Sequence, residues 1–171
     1  MSAIPIVAMD VPAASALQSW LAESDFCDAW EAPLRDPALS PTEIFLKTID
    51  AEPAWVALAM SVRNRVVRFL GLKDVGSMRG AGHRPASDYR PGDRLGIFTI
   101  ICADADELVL GIDDSHLDVR VSITRPGGAP AATYVIATVV RVHNRLGRLY
   151  MIPVGRAHPF VVRAMMRRAK A

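Results

Sequence analysis

The sequence is poor in cysteine. Cys27 and Cys102 stand far apart and no C-x-x-C pair occurs, which argues against a zinc ribbon or a thioredoxin-type redox site. Two isolated thiols are expected as small buried hydrophobes. Also missing is any apolar run near the ~20 residues that a membrane span needs, so no spanning helix is expected. Charge shows no bias: 20 Lys and Arg against 18 Asp and Glu leave a net +2, too little to indicate a nucleic-acid partner. The opening stretch Met1–Asp10 has no basic n-region and is interrupted by Pro5 and Asp10. No signal peptide is read there, and a cytoplasmic location is expected. There is no repeat and no low-complexity tract. Gly80-Ala81-Gly82 lacks both a preceding strand and a following Gly-Lys-Ser/Thr, so it is not read as a phosphate loop. Neither a cofactor nor a metal is expected.

What remains is ordinary globular material. The chain has 171 residues, 51% apolar and 22% charged, which fits one domain with a core that needs no staple. Residues 1–24 read as an N-terminal extension and 25–170 as the core of that single domain. A short helix is expected within 13–22, carrying Leu17, Trp20 and Leu21. Residues 26–32 read as a strand closed by Pro33, with Phe26, Asp28 and Trp30 on one face. Ser40-Pro41-Thr42-Glu43 forms a capping box that opens a helix to about Ile49. A second helix is predicted from Pro53 to Leu70, stopped by Gly71. Its apolar stripe is Trp55, Leu58, Ala59, Val62, Val66, Phe69 and Leu70, with Ser61, Asn64, Arg65 and Arg68 opposite. Arg63 stands at the stripe's edge, its head reaching water. Residues 72–96 show no periodicity and read as a long functional or disordered loop.

From residue 97 the period becomes two. Strands are expected at 97–103, 107–112, 117–125 and 131–143, with turns at Asp113-Asp114-Ser115-His116 and Pro126-Gly127-Gly128. The third alternates strictly, with Leu117, Val119, Val121 and Ile123 against Asp118, Arg120, Ser122 and Thr124, which pins its register. The fourth is apolar on both faces and is therefore central or covered twice. The last segment, 144–170, is helical in pattern, with a break or kink expected between Pro153 and Pro159. The fold class that follows is α+β: a curved antiparallel sheet wrapped around a long C-terminal helix, with the two short helices closing one end. Curvature leaves space between sheet and helix, and such hollows serve as ligand cavities.

Three stretches resemble a known family. They are Asp25-Phe-Cys-Asp-Ala-Trp-Glu-Ala-Pro-Leu34, Gly92-Asp-Arg-Leu-Gly-Ile-Phe98 with Leu110-Gly-Ile-Asp-Asp-Ser-His-Leu-Asp-Val-Arg120, and Val140-Arg-Val-His-Asn-Arg-Leu-Gly-Arg-Leu-Tyr150. Together they look like the bacterial domain-of-unknown-function family 2867, over roughly residues 25–170. The resemblance implies a fold similar to the START-like, helix-grip ligand-binding (SRPBCC) superfamily. The family also occurs behind nicotinamide-dependent short-chain reductase domains; this sequence departs from that arrangement, since no G-x-G-x-x-G unit is read within it. It has no assigned reaction, so it supplies no catalytic residue.

The candidate site residues come from four constellations. Asp113, Asp114, His116 and Asp118, with His143 on a later strand, could ligate a metal or form a base held by a carboxylate. Turn chemistry alone accounts for Asp113 to Ser115 and is the preferred reading. Asp118 and Arg120 share one strand face, preferred as the outer one, where an ion pair is worth at most ~1 kcal/mol. His143-Asn144-Arg145 begins the terminal helix: Asn144 suits the N-cap, and the alternative is an anion site with Arg145. Tyr150 and His158 lie eight residues apart, roughly on one helix face. The basic end, Arg163, Arg167, Arg168 and Lys170, offsets the helix dipole or makes weak contact with an anionic membrane surface. Asp114, His116, Asp118, Arg120, His143, Asn144, Arg145, Tyr150 and His158 are thus ligand-binding candidates. The expected partner is a small apolar or amphipathic molecule, and the expected state a monomer or homodimer. Two rivals stand beside this reading: an enzyme of cyclase, hydrolase or isomerase type using His116 or His143 with an aspartate, and a membrane-peripheral or protein-interaction domain using the basic helix.

Overall fold

The computed structural model describes residues 5–69, 84–128, 130–169 and 171. The expected Gly71 helix stop, the Gly80–Gly82 stretch and Lys170 lie outside them. Seven strands form one antiparallel sheet in the order β1-β2-β7-β6-β5-β4-β3. They are β1 (Val7–Ala8), β2 (Phe26–Pro33), β3 (Arg94–Leu95), β4 (Phe98–Ala103), β5 (Glu107–Asp113), β6 (Leu117–Thr124) and β7 (Thr133–Val142). A register shift between Ile100 and Cys102 interrupts the β4–β5 ladder, a device that bends a sheet. The curved sheet stays unclosed, with a long C-terminal helix, α4 (Arg145–Ala169), as in a helix-grip arrangement.

The sequence explains most of this. β6 alternates as its pattern demands, and its register on β7 sets Val121 against Thr138 and Ile123 against Ile136. β7 lies between β2 and β6, and both of its faces are covered. Tyr134 and Ile136 join the main core with Leu108, Leu110 and Ile123. Val135, Ala137 and Val139 join a second cluster with Val11 and Leu17. The N-terminal stretch therefore packs on the sheet's outer face. Its helix α1 covers only Gln18–Leu21, shorter than expected, because the residues before it turn to bond Glu107. Ser15 Oγ donates to Glu107 Oε1 at 2.6 Å, and the Ala16 N–H donates to Oε2 at 3.0 Å.

Ser40 and Glu43 form the expected capping box, and α2 runs Pro41–Asp50. α3 (Ala54–Phe69) follows, but over its described side chains the expected face is reversed; those of Val66, Phe69 and Leu70 lie outside them. Trp55, Leu58 and Val62 are more than half exposed, whereas Val56 is buried. The helix instead turns Val56, Met60 and Arg63 inward. Both stripes satisfy helical spacing, so periodicity alone did not choose between them. Within the expected loop, described residues form a 3-10 turn (Ala86–Asp88) and β3. α4 is unbroken despite Pro153 and Pro159. Pro153 and the residue four before it, Leu149, both lie on the exposed face, where water can take up the carbonyl that proline leaves free. Among the described residues no helix is long and apolar enough to cross a membrane.

Tyr134 gives this core a pH signature. It is 1% exposed, and burial pushes its hydroxyl up to about 12. An unfolded tyrosine ionises near pH ~10. Above that the unfolded chain loses a proton that the folded chain keeps. This stability contribution is therefore intact below about pH 10 and falls by up to about 3 kcal/mol towards pH 12. Titrating tyrosinate absorbance should show fewer than the chain's three tyrosines ionised at about pH 11 while the fold persists. A complete signal there would refute the assignment.

Candidate functional site

Between the inner face of the sheet and α4 lies a cavity of about 210 Å³. Val119, Val121, Ile136 and Val140 form its floor, and Met151, Val154, Val161 and Val162 its roof. α2 contributes Phe45 and Thr48, and α3 contributes Val56, Met60 and Arg63. Phe45 meets Phe98 edge to face at 5.9 Å. The lining is apolar apart from two separated groups of polar side chains and two threonines, Thr48 and Thr138.

The first polar group sits where the β5–β6 turn meets the start of α4. His116 is 2% exposed, and its Nδ1 stands 3.3 Å from Asp114 Oδ2. Both ring nitrogens are buried and neither has a hydrogen-bond partner among the described residues, the Asp114 carboxylate standing beside Nδ1 without hydrogen-bonding it. The other oxygen of Asp114 accepts from the Ser115 N–H at 2.6 Å and from Ser115 Oγ at 3.2 Å, the aspartate turn chemistry expected there. Tyr150 meets the His116 ring edge to face, with centroids 5.5 Å apart. Arg63 Nε donates to the Tyr150 hydroxyl at 2.9 Å, and the guanidinium lies 5.5 Å from the ring centroid. Arg63 thus turns inward rather than to water, since Tyr150 offers it both an acceptor and a π face.

Backbone contacts fix this corner. The His143 N–H donates to the His116 carbonyl at 3.0 Å. Asn144 caps α4 by accepting from the Gly147 N–H at 3.0 Å, and its amide donates to the Ser115 carbonyl at 3.0 Å. A Cβ on Gly147 would lie 2.2 Å from the His116 carbonyl oxygen, so the helix approaches the turn at a distance only glycine permits.

The second polar group is His158 with Asp28, whose Nδ1–Oδ2 distance is 2.9 Å. Trp30 Nε1 donates to the same oxygen at 3.2 Å, and Phe26 meets His158 edge to face at 5.5 Å. Eight helical residues separate His158 from Tyr150, a rise of about 12 Å, so the two groups stand well apart along the cavity. The inward face of Phe26, Asp28 and Trp30 was legible in the sequence. The pairing of Asp28 with His158 left no signal there.

Of the nine ligand-binding candidates, Asp114, His116, Tyr150 and His158 border the cavity, and the other five do not. Asp118 pairs with His143 Nε2 at 3.0 Å rather than with Arg120 or His116. Arg120 pairs with Asp113 at 2.6 Å and stacks over Trp20 at 4.2 Å, with Arg141 over the same ring at 3.9 Å. Trp20 therefore covers an outer face that the alternation had marked as simply solvated. Asn144 caps the helix, and Arg145 is exposed beside it.

At the other end of α4, Met165 and Met166 are buried in the core, Arg163 lies 5.1 Å from the Trp30 ring centroid, and Arg167 and Arg168 are exposed. The Met-Met and Val-Val pairs that a membrane contact would use point inward. Among the described residues no cluster of His, Cys, Asp and Glu could hold a metal. Cys27 is exposed, not buried. Its thiol is nevertheless raised, first by partial desolvation and then by Asp28 and Asp10. Cys102 is raised by its hydrogen bond to Asp104, then by desolvation.

A family profile described as "Protein of unknown function (DUF2867)" matches residues 20–165. No curated protein and no solved structure matches the chain.

Proposed function

The chain belongs to the DUF2867 family of proteins of unknown function, and from its cavity we propose that it binds a small apolar or amphipathic molecule between the sheet and α4. In this reading it is a START-like module, supported by the architecture of an open curved sheet and a terminal helix. The observation that carries the reading is the hollow of about 210 Å³. Protein interiors are close-packed, so a hollow of this size, apolar in lining and partly open to solvent, departs from the packing around it. An occupant would supply the contacts its lining lacks. A cavity of about 150 Å³ already accepts benzene, so a bicyclic compound suits this one.

The test is thermal unfolding in the presence of naphthalene, 2-tetralone and 1-octanol. A ligand at a hundredfold excess over Kd stabilises by about 2.7 kcal/mol, which for a chain of this length raises Tm by roughly 5–11 °C. If none of the three moves Tm up to its solubility limit, the reading fails.

A further inference from the structure

We propose that the Asp114–His116–Tyr150–Arg63 end of the cavity is an acid–base site for small apolar ketones: His116 takes a proton from the carbon beside the carbonyl, and Tyr150 with Arg63 holds the oxygen. The proposal rests on the cavity-binding reading and adds a reaction to it.

Three features converge there. The first is His116, whose side chain borders the cavity and whose two ring nitrogens are buried without a partner among the described residues. Leaving a buried polar atom unpaired costs about 1–3 kcal/mol, and such exceptions call for an explanation. The second is Asp114, whose carboxylate stands 3.3 Å from Nδ1 without hydrogen-bonding it and is itself held by Ser115. The negative charge on that side favours the tautomer whose proton sits on Nδ1, which leaves the Nε2 lone pair free to take a proton. The third is Tyr150. Its oxygen accepts from the Arg63 guanidinium at 2.9 Å, and among the described residues no acceptor takes its own proton. A phenol polarised by a cation is a strong donor towards an oxygen that is gaining charge.

A base and an oxyanion donor in a mostly apolar cavity are what enolisation requires. The C–H bond breaks and its proton passes to Nε2. The C–H electron pair forms a C=C bond, and the carbonyl π pair moves onto oxygen, where the Tyr150 O–H and the guanidinium meet it. The imidazolium then returns the proton to the same carbon, or to the far carbon of a conjugated system. The net change is an isomerisation that consumes no co-reactant. Asp114 is a positioning residue, and His116 and Tyr150 are the catalytic ones. The substrate class is a ketone with a compact apolar body that the rest of the lining accepts.

The experiment uses the full chain with 2-tetralone in D₂O, following deuterium entry beside the carbonyl by NMR and binding by thermal shift in parallel. The expected exchange rate exceeds buffer by on the order of 10²-fold. His116→Gln returns exchange to the buffer rate while 2-tetralone still raises Tm. Tyr150→Phe slows exchange about tenfold or more. Asp114→Asn lowers the rate at saturating 2-tetralone without changing its Kd, a split that mere loosening of the turn would not give. Binding of 2-tetralone with exchange at the buffer rate, or full exchange in His116→Gln, overturns the site and leaves the binding reading intact. Absence of 2-tetralone binding overturns the site, and absence of any shift with naphthalene and 1-octanol as well overturns the binding reading with it.

Discussion

Gly147→Ala is expected to lower Tm by roughly 6–12 °C, corresponding to a loss of about 3 kcal/mol. Intrinsic propensity argues the other way, because alanine is favoured over glycine in a helix by about 1 kcal/mol. The sign is therefore diagnostic. The added Cβ would stand 2.2 Å from the His116 carbonyl oxygen and 2.8 Å from Val142 Cγ1. Neither neighbour can give way cheaply. The carbonyl accepts the His143 N–H at 3.0 Å, and Val142 is the last residue of β7. The start of α4 would have to lift off the β5–β6 turn, taking the Asn144 cap and the His116–Tyr150 contact with it. Gly155→Ala, in the same helix, is the control. Its Cβ meets Phe26 at 3.5 Å, an ordinary contact, so propensity should prevail and stability should rise by about 0.5–1 kcal/mol. Chemical unfolding of the two variants should shift in opposite directions; shifts of the same sign would contradict the steric account.

Where the sequence offered one solution, the fold was legible. Strict alternation in β6 admits one register, and an apolar strand such as β7 must be central. Ser40 and Glu43 have only one arrangement in which both backbone donors are satisfied. Where two solutions satisfied the same rule, the sequence did not decide. Trp55, Leu58 and Val62 outweigh Val56 and Met60 in apolar area, yet the helix exposes the larger set. The choice falls to tertiary contacts: Val56 packs into the core, and Arg63 finds Tyr150. The prolines of α4 show the same limit, since a local penalty cannot foretell how much packing against the sheet will offset it.

The site was half legible for a related reason. Tyr150 and His158 share a helical face by spacing, and both reach the cavity. His116 was grouped by spacing with Asp113, Asp114, Asp118 and His143, which left its carboxylate neighbour open. The fold sets it beside Asp114 in the turn, while Asp118, on β6, goes to His143. Arg63 was given the usual long-side-chain reading, with its head in water. Only the fold brings a phenol 87 positions away to its Nε. Asp28 and His158 are 130 positions apart and meet for the same reason. Sequence period reports which face a residue occupies, whereas a site depends on which faces are brought together.

Val154→Trp is expected to abolish the Tm rise given by 2-tetralone, weakening binding by on the order of 100-fold or more, while leaving the protein at least as stable as before. Val154 lies on α4 one turn after Tyr150 and one turn before His158, in the middle of the cavity roof. An indole directed there occupies the space a bicyclic ligand would need, since about 150 Å³ is filled by a single benzene and the whole hollow is about 210 Å³. Inserting bulk into a packed core costs typically ~1–3 kcal/mol. Inserting it into a hollow restores contacts that the lining lacks, so the stability change should be near zero or favourable. Ile152→Trp places the same ring on the exposed face of the same helix and should leave binding unchanged. The pair separates two ideas that a single variant would confuse. Undiminished binding in Val154→Trp would mean the ligand sits elsewhere. Destabilisation of Val154→Trp by more than about 1 kcal/mol would mean that the space between sheet and helix is not free to be filled, and the case for a ligand there would lose the observation it rests on.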